Sequence, residues 1–535
     1  MPRNAIRNPI LKGFNPDPST CRVGDDYYLA VSTFEWYPGL RIYRSRDLAN
    51  WRLAARPLNR AGMIDLRGEP DSCGVWAPCL SHADGLFWLC YTDVRRFDGN
   101  FKDTHNYLTT CATIDGEWSD PLYLNSSGFD PSLFHDQDGS KWYTNMVWDH
   151  RPDRSFFHGI VLQEYDPQGR RLVGEPQRIF PGTDADFTEG PHLYRRAGWY
   201  YLMTAEGGTG YGHCVTMARS RSIRGPYEAD PQGPVVTARD DPDWPLQRNG
   251  HADIVRSPDG DWYLVHLCGR PLEGTRRCPL GRETAIQNVA WTEDGWLRLK
   301  NGGHLPDLEV DGPDLEPDEA VEPLAYDDFE SQQLHPVYQW LRTPYPEMFA
   351  SLSERPGHLR LFGMESPGSL NHQALIARRQ TDFAFRASTV VDFAPDCFQQ
   401  MAGLICYYNS SKFHYLYVST DDGIGRHLGL MSCEADRSLA VRFPIRESRI
   451  RLPEEGLVWL RADVDRSELR FSWSTDGERW TEIPVVLDHS LLSDEAGCER
   501  GEQFTGAFVG LTCNDLSGGR KPADFEFFSY RGSGC

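Results

Sequence analysis

Three carboxylates, a tryptophan and a histidine stand at matching places in a repeated pattern along this 535-residue chain. They are Asp17 in "GFNPDPS", Trp76 in "GVWAPCL", Asp130 in "GFDPSLF", Glu189 in "TEGPHLY" and His251 in "NGHADIV". Each precedes an aromatic residue of a strand-like segment by 11 to 13 residues, the aromatics being Tyr28, Trp88, Tyr143, Tyr201 and Tyr263. If those places converge, three carboxylates share one space, and repulsion with partial burial raises the pKa of the least solvated while another stays ionised. One protonated acid beside one ionised base is what cleavage of a glycosidic bond requires: the first protonates the leaving oxygen, the second activates water or attacks carbon. Taken singly, each has a plainer reading. Asp17 and Asp130 beside proline are ordinary turn residues, a histidine is more often a hydrogen-bonded core residue than a ligand, and an aromatic side chain most often packs in a core. Glu189, between Thr and Gly-Pro, sits in poor context for a helix-capping box.

The elements that would position these groups repeat as well. "GDDYYLAVST", "DGLFWLCYTD", "DGSKWYTNMV", "AGWYYLMTAE" and "DGDWYLVHL" are aromatic, β-branched strands, mostly after a Gly/Asp turn, and their anchors are 60, 55, 58 and 62 residues apart. Such a period with almost no helical pattern predicts an all-β, five-bladed β-propeller with long connections. The innermost strand of each blade borders the central channel, so equivalent positions at the starts of those strands face one axis. The prolines on both sides of Asp17 stiffen the place where one such strand begins.

Composition narrows the partners. A net charge of −22 with no basic stripe argues against nucleic acid. No run of 18 apolar residues suggests a membrane span, and "MPRNAIRNPILKGFNPDPS" has no apolar export segment, so a soluble, cytoplasmic protein is expected. The 14 cysteines are scattered without metal-ligand spacing and read as reduced thiols, Cys535 at the terminus being the most reactive. The length calls for two domains. Residues 306–325, with eight acidic residues, four prolines and no aromatic, read as a linker between a propeller over 1–305 and an accessory domain over 326–535. There "FRASTVVDF", "GLICYYN", "FHYLYVSTDDG" and "LVWLRADVD" alternate as in a β-sandwich of jelly-roll type.

In order along nearly the whole chain, "NPILKGFNPDPS", "GVWAPCL", "GFDPSLFHD", "TEGPHLY", "GHADIV" and "LGRETAIQ" resemble glycoside hydrolase family 43, in particular its β-xylosidase branch with a C-terminal, concanavalin-like β-sandwich. The resemblance implies hydrolysis with inversion, Asp17 matching the general base, Glu189 the general acid and Asp130 the auxiliary aspartate that tunes and orients the acid. Inversion requires Asp17 and Glu189 to be ~6.5–9.5 Å apart. It also implies that Arg282 in "GRET" binds the terminal sugar, that Phe34 and Trp76 wall the first subsite with Trp148 beside them, and that Phe504 in "QFTGAFVGL" enters the mouth and makes the enzyme exo-acting. His251 would lie near a water or a Ca²⁺ on the axis; no metal ligand set is expected and no cofactor is required. The expected enzyme is an exo-1,4-β-D-xylosidase acting on xylobiose and other small xylooligosaccharides, with α-L-arabinofuranosidase side activity, assembled as a homo-oligomer, tetramer or dimer. The alternatives are an α-L-arabinofuranosidase, a non-catalytic sugar-binding propeller, and a metal-dependent transferase or lyase.

Overall fold

A computed structural model describes residues 5–434, 445–497 and 503–533. The chain is all-β apart from two single-turn 3₁₀ helices among those residues. Its first part is five antiparallel sheets, each built on four strands in chain order, with Trp36–Tyr37 between the second and third strands of the first sheet pairing elsewhere. Their first strands are Ser19–Val23, Gly74–Ala83, Ser132–His135, Glu189–Arg196 and Gln247–Arg256. Each packs against the first strand of the next sheet, and that of the fifth packs against that of the first.

The register within each sheet defines which residues are equivalent. Ser19, Cys79, Ser132, His192 and Asp253 lie opposite Ala30, Cys90, Thr144, Met203 and Val265 of the second strands. Hydrogen bonds tie these five together where the sheets meet. Ser19 Oγ donates to Asp253 Oδ2 (2.9 Å), the Leu80 amide donates to Ser19 Oγ (3.0 Å), and Cys79 Sγ donates to Ser132 Oγ (3.4 Å). His192 Nδ1 stands 4.0 Å from Asp253 Oδ2. In the third sheet this register makes Trp142, not Tyr143, the counterpart of Tyr28, Trp88, Tyr201 and Tyr263. Adjacent aromatics in "KWYT" hide that one-residue difference, and the register, which fixes the face, settles it.

Two residues before each of these five is a left-handed backbone: Asp17 (φ 56°), Ala77 (36°), Asp130 (58°), Gly190 (57°) and His251 (45°). In four of the five the next residue is proline, which disfavours α-type backbone in the residue before it. Non-glycine residues held at such angles cost of order 1–3 kcal/mol each and persist where the surroundings enforce them. The true equivalents in the second and fourth sheets are thus Ala77 and Gly190. Trp76 and Glu189 stand one residue earlier, next to register shifts between Trp76 and Cys79 and between Glu189 and His192.

The second part of the chain is a six-stranded and an eight-stranded antiparallel sheet. It docks on the first part through Trp36–Tyr37, which pairs with Trp340–Leu341, and through a cluster that mixes Phe14, Phe34 and Trp36 with Phe504 and Phe508. Trp36 and Phe508 stack at 3.6 Å with 10° between their planes. Two glycines let the backbones touch beside the axis: a Cβ on Gly13 would lie 2.4 Å from the Gln380 carbonyl oxygen, and one on Gly281 2.5 Å from that of Thr505. Within 306–325, Glu309–Asp311 pairs with Ala5–Arg7, and Asp318 is ion-paired with Arg52, so this acidic stretch is fastened to the first domain. Eleven described cysteines, Cys433 apart, are unpaired among the described residues, and Cys535 lies outside them. No described helix is long and apolar enough to cross a membrane.

Phe508 is fully buried between the two domains. Phe508→Ala is expected to lower the unfolding free energy by about 3–5 kcal/mol, read from urea unfolding; a loss under about 0.5 kcal/mol, typical of surface changes, would mean the stacked interface is not formed in solution.

Candidate active site

A cavity of about 400 Å³ opens at the left-handed ends of the first strands. It is lined by all nine residues singled out from the sequence: Asp17, Asp130, Glu189, Phe34, Trp76, Trp148, His251, Arg282 and Phe504. These come from all five sheets and from the second domain. The five strand starts bring them together, since Asp17 and Arg282 are 265 residues apart in sequence and hydrogen-bonded in space.

Asp17 is buried and both of its oxygens are engaged. Ser32 Oγ donates to Oδ2 at 2.7 Å and Arg282 Nη1 donates to Oδ1 at 2.9 Å. Ser32 in turn accepts the Ala77 amide (2.7 Å), so the left-handed residue of the second sheet fixes the hydroxyl that fixes Asp17. A carboxylate has about four acceptor sites; two remain for a water. Arg282 is as buried as its partner and also donates from Nη1 to Thr209 Oγ1 (3.1 Å) and from Nη2 to the Phe504 carbonyl (3.1 Å).

Asp130 sits beside Glu189 rather than opposite it. Its Oδ2 accepts the amide of Gly190 at 2.9 Å and stands 4.0 Å from His251 Nδ1. Through the Gly190 amide Asp130 holds the peptide that follows Glu189, which is a physical basis for orienting that side chain. Gly190 has room for no side chain: a Cβ there would be 3.1 Å from His251 Nδ1, on a backbone already left-handed. Burial first, and then the negative charge of Asp17, push the Asp130 carboxyl up to about 7, against the opposing Gly190 hydrogen bond. Burial pulls the His251 imidazole down to about 4, only partly offset by Asp17. One layer below, burial is the largest single influence on His192 and disfavours its charge, but Asp253, Cys79 and Asp130 together outweigh it and lift His192 to about 9. A neutral histidine in the cavity thus rests on a charged one beneath it.

The walls are aromatic. Trp76 is their hub, with ring centroids 5.5 Å from Phe34, 5.5 Å from Phe129 and 5.4 Å from Phe504. Its indole N–H donates to the Ser72 carbonyl, and Ser72 Oγ accepts the Phe504 amide (3.1 Å), so one residue anchors wall and cap together. Trp148 lies further out, stacked on the half-exposed Phe156 at 5.2 Å with Lys102 Nζ 4.2 Å from its ring. Sequence patterning missed Phe97, Phe156, Phe157, Phe187 and the loop Gly207–Gly212, all of which line the cavity. The run "EGGTGYG" was the available signal for that loop.

Among the described residues no group of three or more His, Cys, Asp or Glu is arranged to hold a metal ion. The donors at His251 are one imidazole and one carboxylate, short of the six to eight oxygens calcium takes, so a calcium ion there would be held chiefly by water.

The family model "Glycosyl hydrolases family 43" matches residues 6–297, and "Beta xylosidase C-terminal Concanavalin A-like domain" matches 326–531. The chain belongs to glycosyl hydrolase family 43. This family 43 chain is 55% identical to "Xylosidase/arabinosidase 43B" of Humicola insolens, over 98% of this chain and 97% of that protein. It is 49% identical to "Beta-xylosidase" of Bacillus subtilis, over 98% and 99%. A crystal structure of xylan beta-1,4-xylosidase from Bacillus Halodurans C-125 superposes with a TM-score of 0.95 at 49% identity, covering 98% of this chain and 100% of that one. The second domain is therefore the concanavalin-like domain of this hydrolase.

The raised Asp130 has a measurable consequence. The folded protein keeps a proton on a carboxyl that the unfolded chain releases near ~3.9, so its contribution to stability is full below that pH and is lost as pH rises through about 7. Asp130→Asn keeps the shape and the acceptor oxygen without titrating. In urea unfolding across pH, the variant is expected to gain stability relative to the parent by at most about 1.4 kcal/mol per pH unit through that window; a difference independent of pH would show that Asp130 is not raised.

Proposed function

We propose that this protein is an inverting, exo-acting 1,4-β-D-xylosidase that releases xylose from xylobiose and other xylooligosaccharides, with α-L-arabinofuranosidase side activity. The observation that carries the reading is the single cavity in which Asp17, Asp130 and Glu189 meet Arg282 beneath an aromatic wall capped by Phe504. On this reading the five sheets are blades of a closed five-bladed propeller over 1–305, supported by the packing of the fifth sheet's first strand on that of the first. Residues 306–325 are the linker, and 326–535 the domain that supplies the cap.

In the proposed reaction Glu189 gives its proton to the glycosidic oxygen as the bond to the anomeric carbon breaks. Asp17 takes a proton from the water that attacks that carbon from the opposite face. The products are α-xylose and a chain one unit shorter, and exchange of one proton with solvent resets the pair. Asp17 suits the base, since both oxygens are anchored while acceptor sites remain for water. Arg282 and the left-handed strand starts keep it from moving toward the sugar. Asp130 orients the acid through Gly190. The Phe504 cap, drawn from another domain, supports a blind pocket for one terminal sugar, hence exo action. No cofactor or metal takes part, and the water-held calcium ion remains the alternative at His251. Cytoplasmic residence is supported by the eleven described cysteines, Cys433 apart, that form no disulfide among the described residues, and assembly as a dimer or tetramer is part of the proposal.

The second reading, α-L-arabinofuranosidase as the main activity, is favoured by the similarity to "Xylosidase/arabinosidase 43B" of Humicola insolens. A xyloside and an arabinofuranoside present similar hydroxyls in similar space, which apolar walls discriminate poorly. Specificity constants on the two aryl glycosides decide between them, and turnover of neither would leave a sugar-binding propeller.

NMR of freshly released sugar is expected to show the α-anomer first; β-xylose first would refute inversion. Glu189→Ala is expected to keep much of its rate on an aryl xyloside whose phenol is acidic and to lose xylobiose, whereas Asp17→Ala loses about 10²–10⁴-fold on both. Equal behaviour of the two variants would mean the roles are misassigned. EDTA is expected to leave the rate unchanged, and loss restored by Ca²⁺ would install the metal.

A further inference from the structure

The loop Gly207–Gly212 joins Trp199–Glu206 to Cys214–Ser220 and forms one side of the cavity. Its base is pinched: a Cβ on Gly207 (φ +80°) would lie 2.1 Å from the Gly212 carbonyl oxygen, and the Gly207 amide donates to the Asp186 carbonyl at 2.8 Å. At its tip Thr209 offers two oxygens to two arginines. The hydroxyl accepts from Arg282 Nη1 at 3.1 Å, the same nitrogen that donates to Asp17, and the carbonyl accepts from Arg248 Nε at 3.0 Å.

Arg248 is not part of the cavity lining. Its Nη2 donates to Asp494 Oδ2 at 2.7 Å and its Nη1 to Glu495 Oε1 at 3.0 Å, two consecutive carboxylates of the concanavalin-like domain. Arg248 and Asp494 side chains are 3% and 5% exposed. Both carboxylates are held on their far sides, Asp494 by the Tyr408 hydroxyl and Glu495 by the Cys278 amide (2.9 Å). A buried ion pair is weak as a source of stability, because desolvation offsets the attraction. What it fixes is direction: a planar guanidinium with two nitrogens clamped can aim its third at only one place, and here that is Thr209.

We propose that Arg248 is a positioning residue, clamped by Asp494 and Glu495 of the second domain, that sets the Thr209 loop and through it the Arg282–Asp17 pair. The second domain then reaches the site by two routes. One is direct, the Phe504 carbonyl on Arg282 Nη2, and the other runs from its carboxylates through Arg248 and Thr209 to Arg282 Nη1. Binding at the terminal-sugar pocket and the placing of the Asp17 carboxylate therefore depend on a contact made outside the cavity. The titratable and charged groups that line the cavity with Asp17 are Lys102, Asp130, Glu189, Tyr211, His213, His251 and Arg282, and of these Arg282 is the one hydrogen-bonded to both Asp17 and Thr209.

This inference rests on the hydrolase reading above, and the test separates the two. Arg248→Lys keeps the charge but not the fork, and the pair Asp494→Asn with Glu495→Gln keeps shape but not the clamp. On an aryl β-xyloside, both proteins are expected to lose at least tenfold in kcat/KM, mainly through KM, with the acid limb of the pH profile displaced by half a unit or more. Thr209→Val is expected to reproduce those kinetics with Arg248 intact. In hydrogen exchange on the full-length protein, the amides of Gly207 and His213 are expected to exchange at least tenfold faster in Arg248→Lys and in the double variant. If these variants lose thermal stability yet keep KM, the acid limb and loop protection, Arg248 is merely structural and the proposal falls. If the parent protein turns over no glycoside, the hydrolase reading falls, and loop exchange still decides the clamp.

Discussion

The buried ion pair between Asp17 and Arg282 is the contact on which the rest of the molecule converges. It joins the first sheet to the last and is one of the bonds that hold the ends of the first domain together. It is also where the second domain arrives, through the carbonyl of Phe504. Two opposite charges withdrawn from water gain little net energy, so stability comes from elsewhere, from the aromatic interface of Trp36 and Phe508 and the cores between sheets. The pair instead fixes where a carboxylate oxygen points, and the reaction proposed above depends on that direction.

Beneath it lies a layer that makes the geometry reproducible. Ser19, Cys79, Ser132, His192 and Asp253 are five side chains of four kinds at one structural position. Their hydrogen bonds run from sheet to sheet, and the charged His192 against Asp253 keeps that polar layer compatible with burial. Above it the chain turns left-handed five times. Backbone strain repeated at every sheet, with proline following in four, is difficult to explain as turn chemistry alone; it lifts the preceding or the left-handed side chain out of the strand's alternation and into the shared cavity.

Much of this was legible in the sequence, for identifiable reasons. The five strand signals survive because aromatic and β-branched residues after Gly/Asp turns mark strands wherever they lie. Asp17, Asp130 and His251 fell on the structurally equivalent place although the count back from the anchors was not constant, being 11, 13 and 12 residues. Trp76 and Glu189 were one residue off, beside register shifts that a count along the sequence does not see. Arg282 and Phe504 were reached only through resemblance, since nothing in "GRET" or "QFTGAF" says what they face. Arg248 was not reached at all. Its partners lie 246 and 247 residues away, and "QRNG" carries no mark of the clamp.

The division of labour between walls and floor also limits selectivity. Trp76, Phe34, Phe129 and Phe504 exclude water and accept any sugar face of suitable size, because an apolar wall gains or loses only ~1–3 kcal/mol over a small change in its guest. Rejection of a wrong sugar requires a buried polar group to be left unpaired, and the Asp17 carboxylate, the Arg282 guanidinium and the Thr209 hydroxyl are among the polar groups of this cavity. All three belong to one hydrogen-bonded chain, so they do not adjust independently: a guest that shifts Arg282 shifts the Asp17 carboxylate with it. Binding and the aim of that carboxylate are therefore coupled at the same nitrogen, Nη1 of Arg282. A guest that satisfies that nitrogen aligns Asp17 as it binds, and one that does not leaves the carboxylate misaligned as well.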